Sequence, residues 1–180
     1  MESEDLGRPI RLILEDYPEG EDYYGPGRFH ASGQCYVDPE TGESIIRVIK
    51  PPEGTDAQKV EEAAKVLRHE IGHSRLHLRR YGEEASLKRE KDPEAWLRDE
   101  IEVAVWEYSL EGKASPLRRR LSSLAEVYRK RQGVPSRVEA YRHVSNLTRE
   151  ASLEILGYPI QPVYSGSYTK GFLPLGSEDL

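Results

Sequence analysis

Two histidines four residues apart, His69-Glu70-Ile71-Gly72-His73, stand inside a stretch whose apolar residues recur with a helical period. Val60, Ala64, Leu67, Ile71, Ser74 and Leu78 follow one another at spacings of four and three, and Thr55 with Gln58 fits a capping box that has Asp56 in its first turn. The pattern predicts a long helix from about Asp56 to Arg80. On such a helix, positions 69 and 73 are ~400° of rotation apart, which leaves their imidazoles ~40° apart around the axis and ~6 Å apart along it. Two nitrogens so placed can meet on one ion at about 2.0–2.1 Å, the distance zinc adopts with histidine. Glu70 falls beside that ion, where it can take a proton from water instead of binding metal. The competing interpretation, a histidine pair on a solvated helix face, is disfavoured by the apolar neighbours Leu67 and Ile71.

The rest of the chain divides into a strand-rich start and a helical remainder. Pro9–Asp16 alternates imperfectly around Ile10, Leu12 and Leu14 and predicts a first strand. Tyr17–Gly33 reads as loop. Gln34–Val37 and Ser44–Lys50 flank a turn rich in Asp, Pro and Gly and predict a β-hairpin, which Pro51-Pro52 stops. After the long helix, a second one is expected from the N-cap Asp92 with Pro93 in its first turn to about Gly112. A third is expected from Ser115-Pro116 through the stripe Leu117, Leu121, Leu124 and Tyr128 to Gly133. The fourth opens with the capping box Ser136…Glu139 and closes at Gly157. Residues 1–157 are expected to form a single domain and residues 158–180 an irregular tail.

A catalytic zinc normally has three protein ligands and one open position, so a third ligand must come from another element. His77 continues the histidine spacing, but eight residues of helix place it ~12 Å from His69, too far to share its ion. Glu100 on the second helix lies between Leu97, Ile101 and Ala104, on a face that otherwise reads as buried, and an inward carboxylate needs a cationic partner. Glu102, ~200° further around the helix, is its rival. A solvated acidic face that also carries Asp99 and Glu107 is the remaining alternative.

A helix bearing His69, Glu70 and His73, followed 27 residues later by Glu100, resembles the gluzincin metallopeptidases, and within them the ImmA/IrrE-like peptidases and minimal single-domain gluzincins. The resemblance spans about Gln34 to Gly112. It implies an α+β, zincin-like fold: a small N-terminal sheet with a hairpin packed on a long active-site helix, then three further helices and the irregular tail. It also implies one zinc ion held by His69, His73 and Glu100, with Glu70 as the catalytic base, and makes Ser44–Lys50 the sheet edge along which a substrate strand pairs. The chain departs from the larger gluzincins at Ala104, which stands where those have an acid that supports a zinc-bound histidine.

The expected function is that of a zinc-dependent peptidase, an endopeptidase acting on an extended peptide or protein segment. Two alternatives stay open: a zinc hydrolase of a non-peptide substrate, and a degenerate, metal-stabilised binding or regulatory module. An oxyanion donor is needed as well, and Tyr108, Tyr141 and His143 are its unranked candidates. His30 reads as a loop residue. Cys35 reads as a buried strand cysteine, a reactive thiol, or a soft ligand that holds the enzyme latent. The tail, with Tyr164, Tyr168 and Phe172, offers a second route to self-inhibition. With Lys+Arg 26 against Asp+Glu 32 the net charge is −6, which argues against nucleic acid as a partner. The basic runs Arg118–Arg120 and Arg129–Arg131 read as a solvated helix face with arginine at its C-terminal turn, in preference to a DNA contact. No apolar run approaches the ~18–20 residues of a membrane helix, and Met1–Gly20 lacks a secretory pattern, so a cytoplasmic location without membrane partners is expected.

Overall fold

The structure, a computed structural model, describes residues 10–17, 33–38, 40–41, 43–51, 53–76, 92–161 and 173–174. Its elements are β1 (Ile10–Glu15), β2 (Gly33–Val37), β3 (Ser44–Ile49), α1 (Asp56–Leu76), α2 (Pro93–Glu111), α3 (Ala114–Gln132), α4 (Arg137–Leu156), β4 (Ile160–Gln161) and β5 (Leu173–Pro174). The architecture is α+β, a three-stranded sheet followed by four helices, and the chain divides into two compact units between Ser86 and Leu87. Among the described residues no helix is long and apolar enough to cross a membrane.

In the first unit the hairpin forms as its sequence predicts, with β2 antiparallel to β3 and Cys35 opposite Ile46. Asp38 closes the turn: its Oδ1 accepts from the Glu40 amide at 2.8 Å, and its own amide donates to the Glu43 carbonyl at 2.9 Å. The Glu40 amide, and to a lesser extent the Thr41 amide, which also donates to Oδ1, hold the Asp38 carboxyl below its ordinary range. β1 joins the other side of β3 in parallel, with Leu12 opposite Ile46 and Leu14 opposite Val48, and Arg47 Nε donates to Glu15 Oε2 at 2.8 Å. The strand order is thus β1-β3-β2. This corrects the expectation that Ser44–Lys50 forms the sheet edge. β3 is the central strand, bonded on both sides, and its run Ile45, Ile46, Val48 is the buried composition a central strand requires.

Helix α1 starts at the predicted capping box, in which the Thr55 amide donates to Gln58 Oε1 at 2.8 Å and the Gln58 amide donates to Thr55 Oγ1 at 3.4 Å. It packs on β2 and β3, where Ala63, Val66, Leu67 and Ile71 meet Cys35, Val37, Ile46 and Val48. The packed face follows the stripe read off the sequence only in its later turns, where Leu67 and Ile71 pack on the sheet and Ser74 is buried. Val60 is 66% exposed and Ala64 is exposed, whereas Glu70 and His73 of the motif are buried beside the stripe. Because α1 packs on β2 and β3, the apolar residues Ile10, Leu12 and Leu14 of β1 stay exposed.

In the second unit Asp92 caps α2 by accepting from the Glu94 and Ala95 amides, with Pro93 just inside, and Gly112 ends the helix at φ 65°, a left-handed conformation that suits a residue without a β-carbon. Helix α3 begins one residue earlier than Ser115, with Lys113 at the cap position and no side-chain cap bond. Its start is set by packing, since Leu117, Leu121 and Leu124 face α2 and α4. Ser136 caps α4 as predicted, accepting from the Glu139 amide at 3.3 Å. Leu97, Ile101, Val105, Leu121, Val144 and Leu147 centre the core, each burial being favourable by about 1.5–3 kcal/mol. Within the region expected to be irregular, Ile160–Gln161 pairs antiparallel with Leu173–Pro174. Two-residue strands are too short to leave a period in the sequence. The buried Ile160 amide donates to Ser152 Oγ at 2.8 Å and ties this segment back to α4. His30, His77, Leu78, Arg80, Tyr164, Tyr168 and Phe172 lie outside the described residues.

Candidate metal centre

The closing turns of α1 carry the motif in the geometry that its spacing predicts. The Nε2 atoms of His69 and His73 are 3.1 Å apart, and their rings stand nearly perpendicular at 87° with centroids 4.7 Å apart. Nitrogens at that separation, each ~2.0–2.1 Å from a shared ion, subtend about 100° there, near the tetrahedral angle of zinc sites. His73 is 3% exposed and Glu70 7%, while His69 is half-buried, so the second histidine and the neighbouring acid sit largely away from solvent, where interactions between charges are strong.

The packing of α1 on the hairpin fixes Glu70. Gly33, the first residue of β2, lies so close that a β-carbon there would stand 2.7 Å from Glu70 Oε1 and 2.5 Å from Val66 Cγ1. Only a glycine lets the strand approach the helix this closely. Read from its neighbours alone, Gly33 is no more than the end of a loop.

In the second unit Glu100 is partly buried on α2, its side chain 14% exposed, and its Oε2 accepts from Arg120 Nη2 of α3 at 2.6 Å. Glu102, expected to face elsewhere, is buried as well at 6% exposure, because the central turn of α2 is covered on all sides from Ile101 to Val105. Arg120 had appeared in the sequence only as part of a basic run. Its bond to Glu100 joins residues on different helices, and no local spacing signals that.

The three candidates for an oxyanion donor each have a packing role in this unit. Tyr141 is 9% exposed in the helical core with the Arg137 guanidinium 5.6 Å from its ring, and Tyr108 packs against that core. His143 Nε2 bonds both Glu94 oxygens, at 2.8 and 2.9 Å, and its ring stacks on Tyr128 at 4.9 Å. The Tyr128 hydroxyl is pushed above its ordinary value, first by burial and then by the charge of Glu94 and a hydrogen bond to it. Cys35 lies in the apolar cluster beneath α1, opposite Ile46, as a packed strand cysteine does. Compared with protein families, curated proteins and solved structures, the chain matches none.

Proposed function

We propose that the chain is a zinc-dependent peptidase of the gluzincin kind, with His69, His73 and Glu100 as metal ligands and Glu70 as the general base. The observation that carries this reading is the 3.1 Å approach of two imidazole nitrogens on one helical turn, with a buried carboxylate one residue away. His69, His73 and Glu100 offer two nitrogens and a carboxylate oxygen, the donor set of catalytic zinc in this class. A zinc ion there supplies Lewis acidity toward the scissile carbonyl and lowers the pKa of the attacking water. Glu70 takes the proton of that water and passes it to the leaving amine, a role worth typically ~10²–10⁴-fold in rate. An extended substrate pairs with an open strand edge. Of the two edges of this sheet among the described residues, β2 is the one whose first residue abuts Glu70.

The test is Glu70→Gln, assayed with unstructured proteins and quenched peptides beside zinc content. The variant is expected to bind zinc as the wild type does and to lose hydrolysis; equal activity in the two proteins removes Glu70 from the mechanism. Cleavage of small esters without any peptide cleavage would favour a non-peptide hydrolase. Zinc bound without any hydrolysis in the wild type would leave the metal a structural part of a binding module. Glu100→Ala is expected to reduce bound zinc more than Glu102→Ala, and the reverse order reassigns the third ligand.

A further inference from the structure

We propose that Arg120 is a positioning residue for the metal centre, holding the Glu100 carboxylate through one oxygen and so setting the plane in which the other oxygen meets the ion. This rests on the reading of Glu100 as a ligand and adds to it the group that orients Glu100.

Two observations carry the inference. The guanidinium Nη2 of Arg120 donates to Glu100 Oε2 at 2.6 Å, a short, charge-assisted bond between α2 and α3. Burial of the two ends is unequal: the Glu100 side chain is 14% exposed and that of Arg120 43%. An ion pair of two exposed, flexible side chains constrains little. Here the acid is embedded while the arginine reaches it from the rim, so the bond fixes the orientation of a group that packing already confines.

Helix packing fixes the reach of the arginine as well. Arg120 stands beside Leu121 and one turn after Leu117, both buried against the neighbouring helices, so the register of α3 cannot slip without uncovering its core face. The partners that orient metal ligands typically contribute 10–100-fold in metal affinity, because a ligand with one allowed orientation loses less freedom on binding. The chain has Ala104 where larger gluzincins carry an acid supporting a histidine. Support for the centre would here act on the carboxylate ligand, through a cation.

The experiment measures zinc dissociation constants by competition with a chromophoric chelator. It uses the full chain as wild type, Arg120→Ala, Arg120→Lys, Arg119→Ala and Glu100→Ala, with a thermal melt of each. Arg120→Ala is expected to weaken zinc by about 10–100-fold. Arg120→Lys should recover part of that loss, and Arg119→Ala, which removes the same charge from the adjacent position, should leave affinity unchanged. An Arg120→Ala affinity equal to or tighter than wild type overturns the inference, tighter binding meaning that the arginine competes with the ion. Equal weakening in Arg119→Ala and Arg120→Ala overturns it too, since the effect would then be one of net charge. If Arg120→Ala fails to fold, the Lys variant decides: affinity weakened within about tenfold supports positioning, and unchanged affinity with unchanged melting refutes it. Glu100→Ala separates the two levels, because undiminished zinc there overturns the ligand reading itself, whatever Arg120 does.

Discussion

Gly33 and Glu70 share one small volume: a β-carbon at residue 33 would lie 2.7 Å from Glu70 Oε1 and 2.8 Å from its Cγ. The first residue of an edge strand and the proposed base of the active site are therefore mutually constrained. Gly33→Ala is expected to push the Glu70 side chain aside, since the same methyl also meets Val66 Cγ1, which has no flexible end to yield. We expect zinc binding to persist, hydrolysis to fall by ~10²-fold, the cost of a displacement on the order of 1 Å, and stability to drop by about 1–3 kcal/mol. Rate, zinc content and a denaturant melt measured together check this. Undiminished turnover would show that Glu70 is not held by β2.

Sheet burial yields a second prediction. Leu12 and Leu14 of β1 are 51% and 56% exposed although they share a face with Ile46 and Val48, which are each 1% exposed. Leu12→Thr should change unfolding free energy by no more than about 0.5 kcal/mol. Ile46→Ala should cost about 2–5 kcal/mol through the cavity it leaves under α1. Urea titrations compare the two directly, and equal losses would mean that β1 buries its apolar face.

Tyr128 predicts the alkaline limb of stability. Burial and Glu94 raise its pKa above the ordinary 10.0, so folding favours the neutral phenol over tyrosinate. Stability from this group is complete below the unfolded value and is lost as pH rises through the folded one, hence above about pH 10. Tyr128→Phe removes the titration. Its melting temperature should be lower at neutral pH, for want of the bond to Glu94, and should decline less than that of the wild type between pH 9 and 11. Parallel declines in the two proteins would assign the alkaline loss to other groups.

The starts of α1, α2 and α4 were legible because each is decided locally: the Thr55…Gln58 box, Asp92 and Ser136 make the bonds that their spacing announces, whereas α3, without a side-chain cap, starts where packing sets it. The histidine pair was legible for the same reason, four residues of helix fixing its separation. The stripe of α1 held for Leu67, Ile71 and Ser74 but not for Val60 and Ala64, which face solvent, and it gave no sign that Glu70 and His73 are buried, because apolar spacing does not report buried polar groups. The sheet order escaped for a different reason. β1 pairs with β3 in parallel across a long stretch of chain, and such a pairing depends on no local turn. Arg120 and Gly33 escaped because their partners, Glu100 and Glu70, belong to other elements.

The 3.1 Å gap between the two imidazole nitrogens is set by one turn of α1, which carries both rings, together with the side-chain torsions that turn the rings toward each other. A gape set in this way adapts poorly to the guest. If the pair holds an ion as proposed, a bulkier guest would be gripped at a sharper angle, so any discrimination among cations would begin with these two rings, before another side chain takes part.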